Sequence, residues 1–355
     1  MTALRADSLR CSGVIADALA SPPLRPPFLP SLERYSRNSA DGLFAMTRVY
    51  TKSAFVRKQR FRRFSLTYVG CLRIVADVNT LSKGKQATII RAHVEGNSIR
   101  SMERMTGVHR DTIMRLVVRI GQGCAQLLDE RIKNVPAKRI QADEIWTYVF
   151  KKQARLNTDD HPDMGDQYVF VGMDADTKLV ISHLVGKRDA VSAYYFIRDL
   201  KDRVQGRPQV TTDGFRPYIG AMEDCFGADV DYAQLVKLYG QPKAASGSRD
   251  WYAPVQVTAA IPMRVNGNPD PRYISTSLIE RQNLTMRMQM RRFTRLTNAY
   301  SKKLENLKAA VALHFAHYNF VRIHQTLRVT PAMAAQLTDH LWGFDELLGA
   351  VSNSR

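Results

Sequence analysis

Beyond Pro136 the hydrophobic pattern changes from the spacing of helices to the alternation of strands. Three strand-like runs follow one another, RIQADEIWTYVF, GDQYVFVGMDAD and LVISHLVGK, and the short DADTK link predicts a hairpin between the last two. A helical run, the short strand PQVTTD, a second helical run and a fifth strand, VDYAQLVKLY, come next. This order predicts an α/β fold in which helices flank a mixed five-stranded sheet.

Ahead of this region, residues 83–121 predict a helix-turn-helix unit. KQATIIRAHVEG supplies a first amphipathic helix, and NSIRSMERMTGVHRDTIMRLVVRIG supplies two more, with Gly107 permitting the turn between them. Burial of the apolar face of the last helix leaves five polar side chains outward, which are His109, Arg110, Thr112, Arg115 and Arg119. In a recognition helix these side chains would face DNA bases and phosphates, whereas the alternative is a small helical subdomain for packing or dimerisation.

The charge of the chain favours a nucleic-acid partner. The 355 residues carry a formal net charge of +19, and the excess lies in the flanks, because residues 140–278 hold 16 basic and 18 acidic residues. No apolar run approaches the roughly 18 residues of a membrane span, and Asp7 and Asp17 interrupt the apolar stretch at the N-terminus. We therefore expect a cytoplasmic, nucleoid-associated protein without a membrane partner. The cysteine spacing predicts neither a structural zinc site nor disulfides.

Three acidic residues lie at positions of the predicted strands and helices that suit a metal site. Asp143 lies inside the first strand-like run, Asp213 ends PQVTTD, and Glu280 lies near the start of a helical run. We expect Asp143 and Asp213 on neighbouring strands, with Glu280 reaching over from a helix beside them. Carboxylates suit Mg²⁺ or Mn²⁺, and three of them can hold two such ions about 4 Å apart for attack on a phosphodiester.

The neighbours of these acids leave two questions open. Strand alternation makes Asp143 and Glu144 face opposite sides of the sheet, and composition alone does not choose between them. Arg287 falls two helical turns after Glu280, where it would hold the phosphate beside the scissile bond, and Asn283 would orient Glu280 or contact DNA. Each acid also has an ordinary structural interpretation, as a turn former or as a solvated helix residue.

Several segments resemble the insertion-sequence transposases of the InsA–InsB type, which are DDE recombinases with a ribonuclease-H-like fold. The resemblance runs from about Val78 to Pro331 and is carried by QADEIWTYV, VGMDADTKLVISH, TTDGFRPY, DYAQLVKLYG and the stretch that begins ISTSLIERQNLTMRMQMRRF. It implies that the metal-binding catalytic triad is Asp143, Asp213 and Glu280, followed by Arg287 as a basic partner. Many relatives carry a cysteine zinc finger before the helix-turn-helix, which this sequence lacks, and often His where this chain has Gln282.

We expect four regions along the chain. Residues 1–77, with SPPLRPPFLP and RKQRFRRF, are expected to form a disordered or weakly structured basic region, and its translation in the host stays an open question. Residues 78–133 are expected to form an all-α helix-turn-helix DNA-binding domain. Residues 138–335 are expected to form a ribonuclease-H-like DDE catalytic domain in which 240–275 are a long loop, and residues 336–355 a C-terminal tail.

The resemblance implies a DNA transposase that binds the terminal inverted repeats of its insertion sequence, cleaves DNA strands and transfers them to target DNA. It also implies two Mg²⁺ or Mn²⁺ ions, no small-molecule cofactor, and a homodimer or higher oligomer on DNA, because two element ends must be paired. Three alternatives stand beside it: a ribonuclease-H-like nuclease that only hydrolyses, a DNA-binding regulator, and a decayed transposase.

Overall fold

The structure, a computed structural model, describes residues 80–240, 257–294 and 297–353. The predictions made for residues 1–77, including the one for RKQRFRRF, lie outside the described residues. Within the described ranges, no helix is both long enough and apolar enough to cross a membrane.

The stretch predicted as a helix-turn-helix holds three helices, α1 (Lys83–Val94), α2 (Ile99–Thr106) and α3 (Arg110–Arg131). The Ser98 side chain accepts a hydrogen bond from the backbone N–H of Ser101 at 3.1 Å and thereby caps the start of α2. Gly107 ends α2 with a φ of 67°, a left-handed conformation that glycine adopts without strain. The three predicted helices are therefore confirmed, although α3 continues well past Gly121, where the sequence pattern placed its end.

A six-stranded mixed sheet follows, built from β1 (Arg139–Val149), β2 (Gly165–Asp174), β3 (Val180–Gly186), β4 (Gln209–Asp213), β5 (Asp231–Tyr239) and β6 (Val257–Asn266). The strands lie in the order β3-β2-β1-β4-β5-β6. The pairs β1–β2, β2–β3 and β5–β6 are antiparallel, whereas β1–β4 and β4–β5 are parallel. This topology is consistent with a ribonuclease-H-like fold and confirms the predicted hairpin between the second and third strands.

The prediction of only five strands, with a long loop over residues 240–275, is wrong at β6. β6 pairs antiparallel with β5 and places Pro262 opposite Leu235. Apolar Ile261, Met263 and Val265 alternate along it with small or polar residues, but its side chains are exposed at almost every position. The Gly, Pro and Ser residues of the stretch 240–275 favoured a loop over this alternation. Pro262 also favoured a loop, but an edge strand tolerates proline where the missing N–H would point to solvent.

Helices cover the rest of the described chain. Two lie between strands, as predicted, and four follow the sheet: α4 (Ala190–Arg203), α5 (Pro217–Phe226), α6 (Ser277–Gln289), α7 (Leu304–Ala316), α8 (Pro331–Ala334) and α9 (Phe344–Asn353). A π-helical turn, His317–Val321, continues α7. Thr330 caps α8, since its hydroxyl accepts from the backbone N–H of Met333 at 3.2 Å. The stretch 336–355, expected as a tail, instead contains α9, whose Leu347 is fully buried.

Close packing of α3 against α7 joins the helix-turn-helix to the sheet. Leu127 of α3, Leu313 of α7 and Ile140 of β1 belong to one hydrophobic core. A Cβ atom at Gly121 would lie 2.1 Å from the carbonyl oxygen of Ala309, so this approach of two helices requires glycine. The boundary expected between residues 133 and 138 therefore does not separate two cores.

We predict that Gly121→Ala destabilises the protein by about 1–3 kcal/mol or more, because the added methyl group would overlap the α7 backbone. Gly220→Ala is the matched control, since Gly220 lies in α5 with no atom within 4 Å of the position that an added methyl group would take. There alanine should stabilise the helix, by up to about 1 kcal/mol. Urea unfolding of both variants provides the comparison, and equal stability of Gly121→Ala and wild type would contradict the close α3–α7 packing.

Candidate metal centre

Asp143 and Asp213 lie side by side at the centre of the sheet. The parallel pairing of β1 with β4 places Ala142 opposite Thr212, and the next residue of each strand is the aspartate. Carboxylate oxygens of Asp143, Glu144 and Asp213 all lie within 4.8 Å of one another. The prediction that Asp143 and Asp213 occupy neighbouring strands is confirmed, and the three carboxylates form a possible metal site.

Negative charge is least compensated at Asp143. Burial, followed by the charges of Asp213 and Glu144, raises the pKa of the Asp143 carboxyl to about 7. Its hydrogen-bond donors are neutral: the backbone N–H of Glu144 at 2.8 Å and the Asn283 side-chain amide at 3.0 Å. No cationic side chain of the described residues pairs with Asp143, so a bound cation would relieve more repulsion there than at its neighbours.

Glu144 has a different environment, although it belongs to the same cluster. Its Oε1 accepts from Arg188 Nε at 2.5 Å and its Oε2 accepts from the Tyr218 hydroxyl at 3.1 Å. The carboxyl group is almost completely buried, and burial raises its pKa while Arg188 opposes the rise. A metal ion at Glu144 would have to compete with a guanidinium group, which favours Asp143 as the ligand from this strand.

Arg188 contacts both Glu144 of β1 and Asp213 of β4. Its Nη2 atom lies 3.7 Å from Asp213 Oδ2, and its guanidinium carbon lies 4.1 Å above the centre of the Phe215 ring. Burial raises the pKa of Asp213, whereas Arg188 and Lys237 lower it. Sequence reasoning missed Arg188, because an arginine in the β3–α4 connection carries no motif that distinguishes it from a surface residue.

Glu280 reaches the cluster from the first turn of α6 but is held outside the group of three. Its Oε1 accepts from the Thr276 hydroxyl and forms an ion pair with the Lys237 ammonium group of β5. Its charge nevertheless raises the pKa of both Asp143 and Asp213, which places it close to them. Ligation of a metal through Oε1 of Glu280 would therefore require the Lys237 pair to open.

The position of α6 depends on a glutamine inside β1. The buried side chain of Gln141 accepts hydrogen bonds through Oε1 from the backbone N–H groups of Leu278 at 3.0 Å and Ile279 at 3.1 Å. These are N–H groups of the first helical turn, which have no partner within the helix. Gln141 therefore fixes the start of α6, at a point one residue before Glu280. Gln141 itself lies two residues before Asp143 on β1. A buried glutamine within a strand gave no such signal in the sequence.

The residues predicted to contact DNA fall in two places. Arg110, Arg115 and Arg119 are exposed on α3, while Thr112 is half-buried there. Arg119 Nη2 donates to Gln86 Oε1 at 3.0 Å, and Arg115 Nε donates to the backbone carbonyl of Asp111 at 3.3 Å. The other two lie on α6: Asn283 is buried and donates to Asp143, so in this state it orients the carboxylate, and Arg287 is half-buried.

We predict that Gln141→Leu lowers the free energy of unfolding by about 1–3 kcal/mol, because it leaves two buried N–H groups without an acceptor. Gln282→Leu is the matched control, since Gln282 is also buried but its Nε2 atom has no partner. That change should have a smaller effect. Chemical denaturation measures both, and a larger loss in Gln282→Leu than in Gln141→Leu would contradict the proposed docking of α6 on β1.

Comparison with known proteins gives a limited result. No protein-family profile and no curated protein matches the sequence. The piggyBac transposase, solved as a synaptic complex with hairpin DNA, is 9% identical with a TM-score of 0.38, over 76% of this chain and 69% of that chain. The Mos1 strand transfer complex is 12% identical with a TM-score of 0.20, and the match spans 50% of this chain and 60% of that one. Similarity this low assigns no family.

Proposed function

We propose that the chain is a DDE transposase, which binds the terminal inverted repeats of its insertion sequence and catalyses metal-dependent DNA cleavage and strand transfer. The observation that supports this most is the juxtaposition of Asp143 and Asp213 on paired central strands, with Glu280 presented beside them by a helix that Gln141 docks. The resemblance of the surrounding segments to insertion-sequence transposases points to the same three residues.

The residues present fit a divalent metal centre. Asp143 carries a raised pKa without a cationic partner among the described residues, and the oxygen ligands offered by these carboxylates suit Mg²⁺ or Mn²⁺. Asp143 and Asp213 would hold such ions, and Glu280 would join them once Lys237 releases it. Two bound ions would supply an activated water or 3′-hydroxyl and neutralise charge in the in-line displacement at phosphorus.

Arg188 and Lys237 have a second role in this proposal. In the absence of DNA they offset the negative charge of the carboxylates, through the Arg188–Glu144 and Lys237–Glu280 ion pairs. Both side chains are partly exposed, so both charges remain available to a DNA phosphate that approaches the cluster. Asn283 would keep the Asp143 carboxylate in a fixed orientation while it holds a metal.

DNA binding is assigned to the helix-turn-helix and its basic face. The N-terminal half of α3 exposes Arg110, Arg115 and Arg119, while its C-terminal half packs in the core. Such a helix presents one end to a DNA groove and is anchored at the other. A hydrolysis-only nuclease would need the carboxylates but no sequence-reading helix, and a regulator would need the helix but no carboxylate cluster. A strand-transfer assay separates the transposase from both.

We predict that Asp143→Asn, Asp213→Asn and Glu280→Gln each abolish cleavage and strand transfer but leave binding to terminal-repeat DNA within a few-fold of wild type. Metal ligands act on the chemical step, whereas basic surfaces supply the affinity. Cleavage of DNA that carries the element ends, in Mg²⁺, and a gel-shift assay on the same DNA measure the two effects.

Glu144→Gln is the matched control for these three variants. It keeps an oxygen that accepts from Tyr218, and it removes a charge that Arg188 already compensates, so it should retain cleavage activity. An inactive Glu144→Gln together with an active Asp143→Asn would move the metal ligand on β1 to Glu144.

We predict that Arg115→Ala weakens binding to the terminal repeat by about 1–3 kcal/mol through loss of a base contact. Binding to unrelated DNA should change little, because the contact reads sequence. Fluorescence anisotropy with both DNAs, at several salt concentrations, measures the difference. A uniform loss on both DNAs, with a salt slope lower by about one unit, would make Arg115 a phosphate contact, and no change on either would remove it from the interface.

A further inference from the structure

A basic pocket of about 780 Å³ lies between the helix-turn-helix and the segment that follows α6. Its lining contains five cationic side chains, Arg100, Arg110, Arg291, Arg292 and Lys302. None of the described lining residues is acidic. Arg110 is paired with Asp111 outside the lining, at 3.9 Å. A concave site with this concentration of positive charge favours an anion, and arginines are well suited to phosphate because they donate two parallel hydrogen bonds.

Buried polar atoms in the wall of the pocket have no partner within the protein. His314 of α7 is 2% exposed and lines the pocket, yet neither of its ring nitrogens has a hydrogen-bond partner. The Nδ1 atom of His93, which also lines the pocket, is likewise buried and unpaired within the described residues. Unsatisfied buried polar groups cost about 1–3 kcal/mol each. A neutral imidazole offers one donor and one acceptor, which a ligand that carries both functions would satisfy.

Arg292 adds a charge that has no counter-ion in the described part of the chain. Its Nη1 donates to the Ser301 hydroxyl at 2.8 Å, while its buried Nε atom has no partner. Burial lowers the pKa of Arg292 to about 10. The same positive charge, after burial, lowers the pKa of His93, so the two groups are electrostatically close. An anion in the pocket would compensate Arg292.

The remaining lining suits an organic group attached to that anion. Met114, Met290 and Tyr300 contribute apolar and aromatic surface, and Asn97 and Asn298 contribute amides. The volume exceeds that needed by an isolated phosphate. We propose that this pocket binds one nucleotide unit, with the phosphate held by the arginines and the base beside His314 and the apolar wall. The unit is either part of a DNA strand or a free nucleoside phosphate, which share this chemistry.

The pocket lies between the helices proposed to bind DNA and the helix that carries Glu280. In this respect the inference rests on the proposed function. Arg100 and Arg110 belong to α2 and α3, the helices assigned to DNA binding. Arg291 and Arg292 follow directly after α6, which carries Glu280. A nucleotide held between them would connect DNA on the helix-turn-helix to the metal centre.

The test is calorimetric titration of the full chain with deoxyadenosine monophosphate in EDTA, with inorganic phosphate as a second titrant. We expect the nucleotide to bind more tightly than phosphate. Arg100→Ala should weaken nucleotide binding roughly tenfold, as expected for loss of a charge-assisted hydrogen bond. The matched control is Arg104→Ala, because Arg104 is exposed one turn further along α2 and does not line the pocket. It should change binding less than about twofold.

His314→Phe provides a second readout with two opposite effects. Removal of two unpaired nitrogens should raise the melting temperature of the ligand-free protein, while the nucleotide should bind more weakly. The inference is overturned if deoxyadenosine monophosphate does not bind, if phosphate binds as tightly, or if Arg100→Ala and Arg104→Ala behave alike. The two arginine variants decide the matter even where His314→Phe does not fold.

Competition with duplex DNA identifies the source of the nucleotide. Displacement of the bound nucleotide by DNA assigns the pocket to a DNA strand, and persistence of the bound nucleotide assigns it to a free nucleoside phosphate. Both results support a nucleotide site. The titration contains no metal, so its result does not depend on catalysis. If the protein cleaves DNA but does not bind the nucleotide, only the proposed pocket is refuted. If it binds the nucleotide but does not cleave DNA, only the proposed activity is refuted.

Discussion

Mutual repulsion among carboxylates gathered at the centre of the sheet is the constraint on which the rest of the site depends. Asp143, Glu144 and Asp213 lie within 4.8 Å of one another, and Glu280 adds its charge from α6. Like charges at this distance are tolerated only when cations or protons compensate them. Arg188 and Lys237 compensate three of the four acids. Asp143 alone among the four has no ion pair within the described residues, and burial beside the other acids raises its pKa, so a metal ion there would relieve repulsion that no cationic side chain offsets.

The proposed function also requires the chain to hold DNA in a fixed relation to those carboxylates. In that proposal α3 would serve this purpose, because its exposed N-terminal half carries the arginines and its buried C-terminal half packs on α7 at Gly121. α6 is fixed from the other side, through the hydrogen bonds that Gln141 accepts from its first turn. Helix α3 and the sheet that carries the carboxylate cluster therefore share one core, and the basic pocket around Arg292 is lined from both α3 and the segment that follows α6.

Much of this arrangement was predictable from the sequence because it rests on local periodicity. Alternation identified β1 to β5, and the sequence placed Asp143 inside β1 and Asp213 at the end of β4, on the neighbouring strands where the structure has them. β6 was missed because it lies in a stretch rich in Gly, Pro and Ser, which outweighed the alternation of Ile261, Met263 and Val265. Gln141 and Lys237 were missed for another reason: their roles arise from partners about 40 to 140 residues away, a separation that periodicity does not register.

The most direct test of the central claim is a crystal structure of the full chain grown with Mn²⁺, which is located by its anomalous scattering. The account predicts an anomalous peak bound by the carboxylates of Asp143 and Asp213, with Glu280 released from Lys237 and turned toward the metal. Mn²⁺ that is bound only elsewhere, or that coordinates Glu144 while Asp143 stays hydrogen-bonded to Asn283 alone, would contradict it.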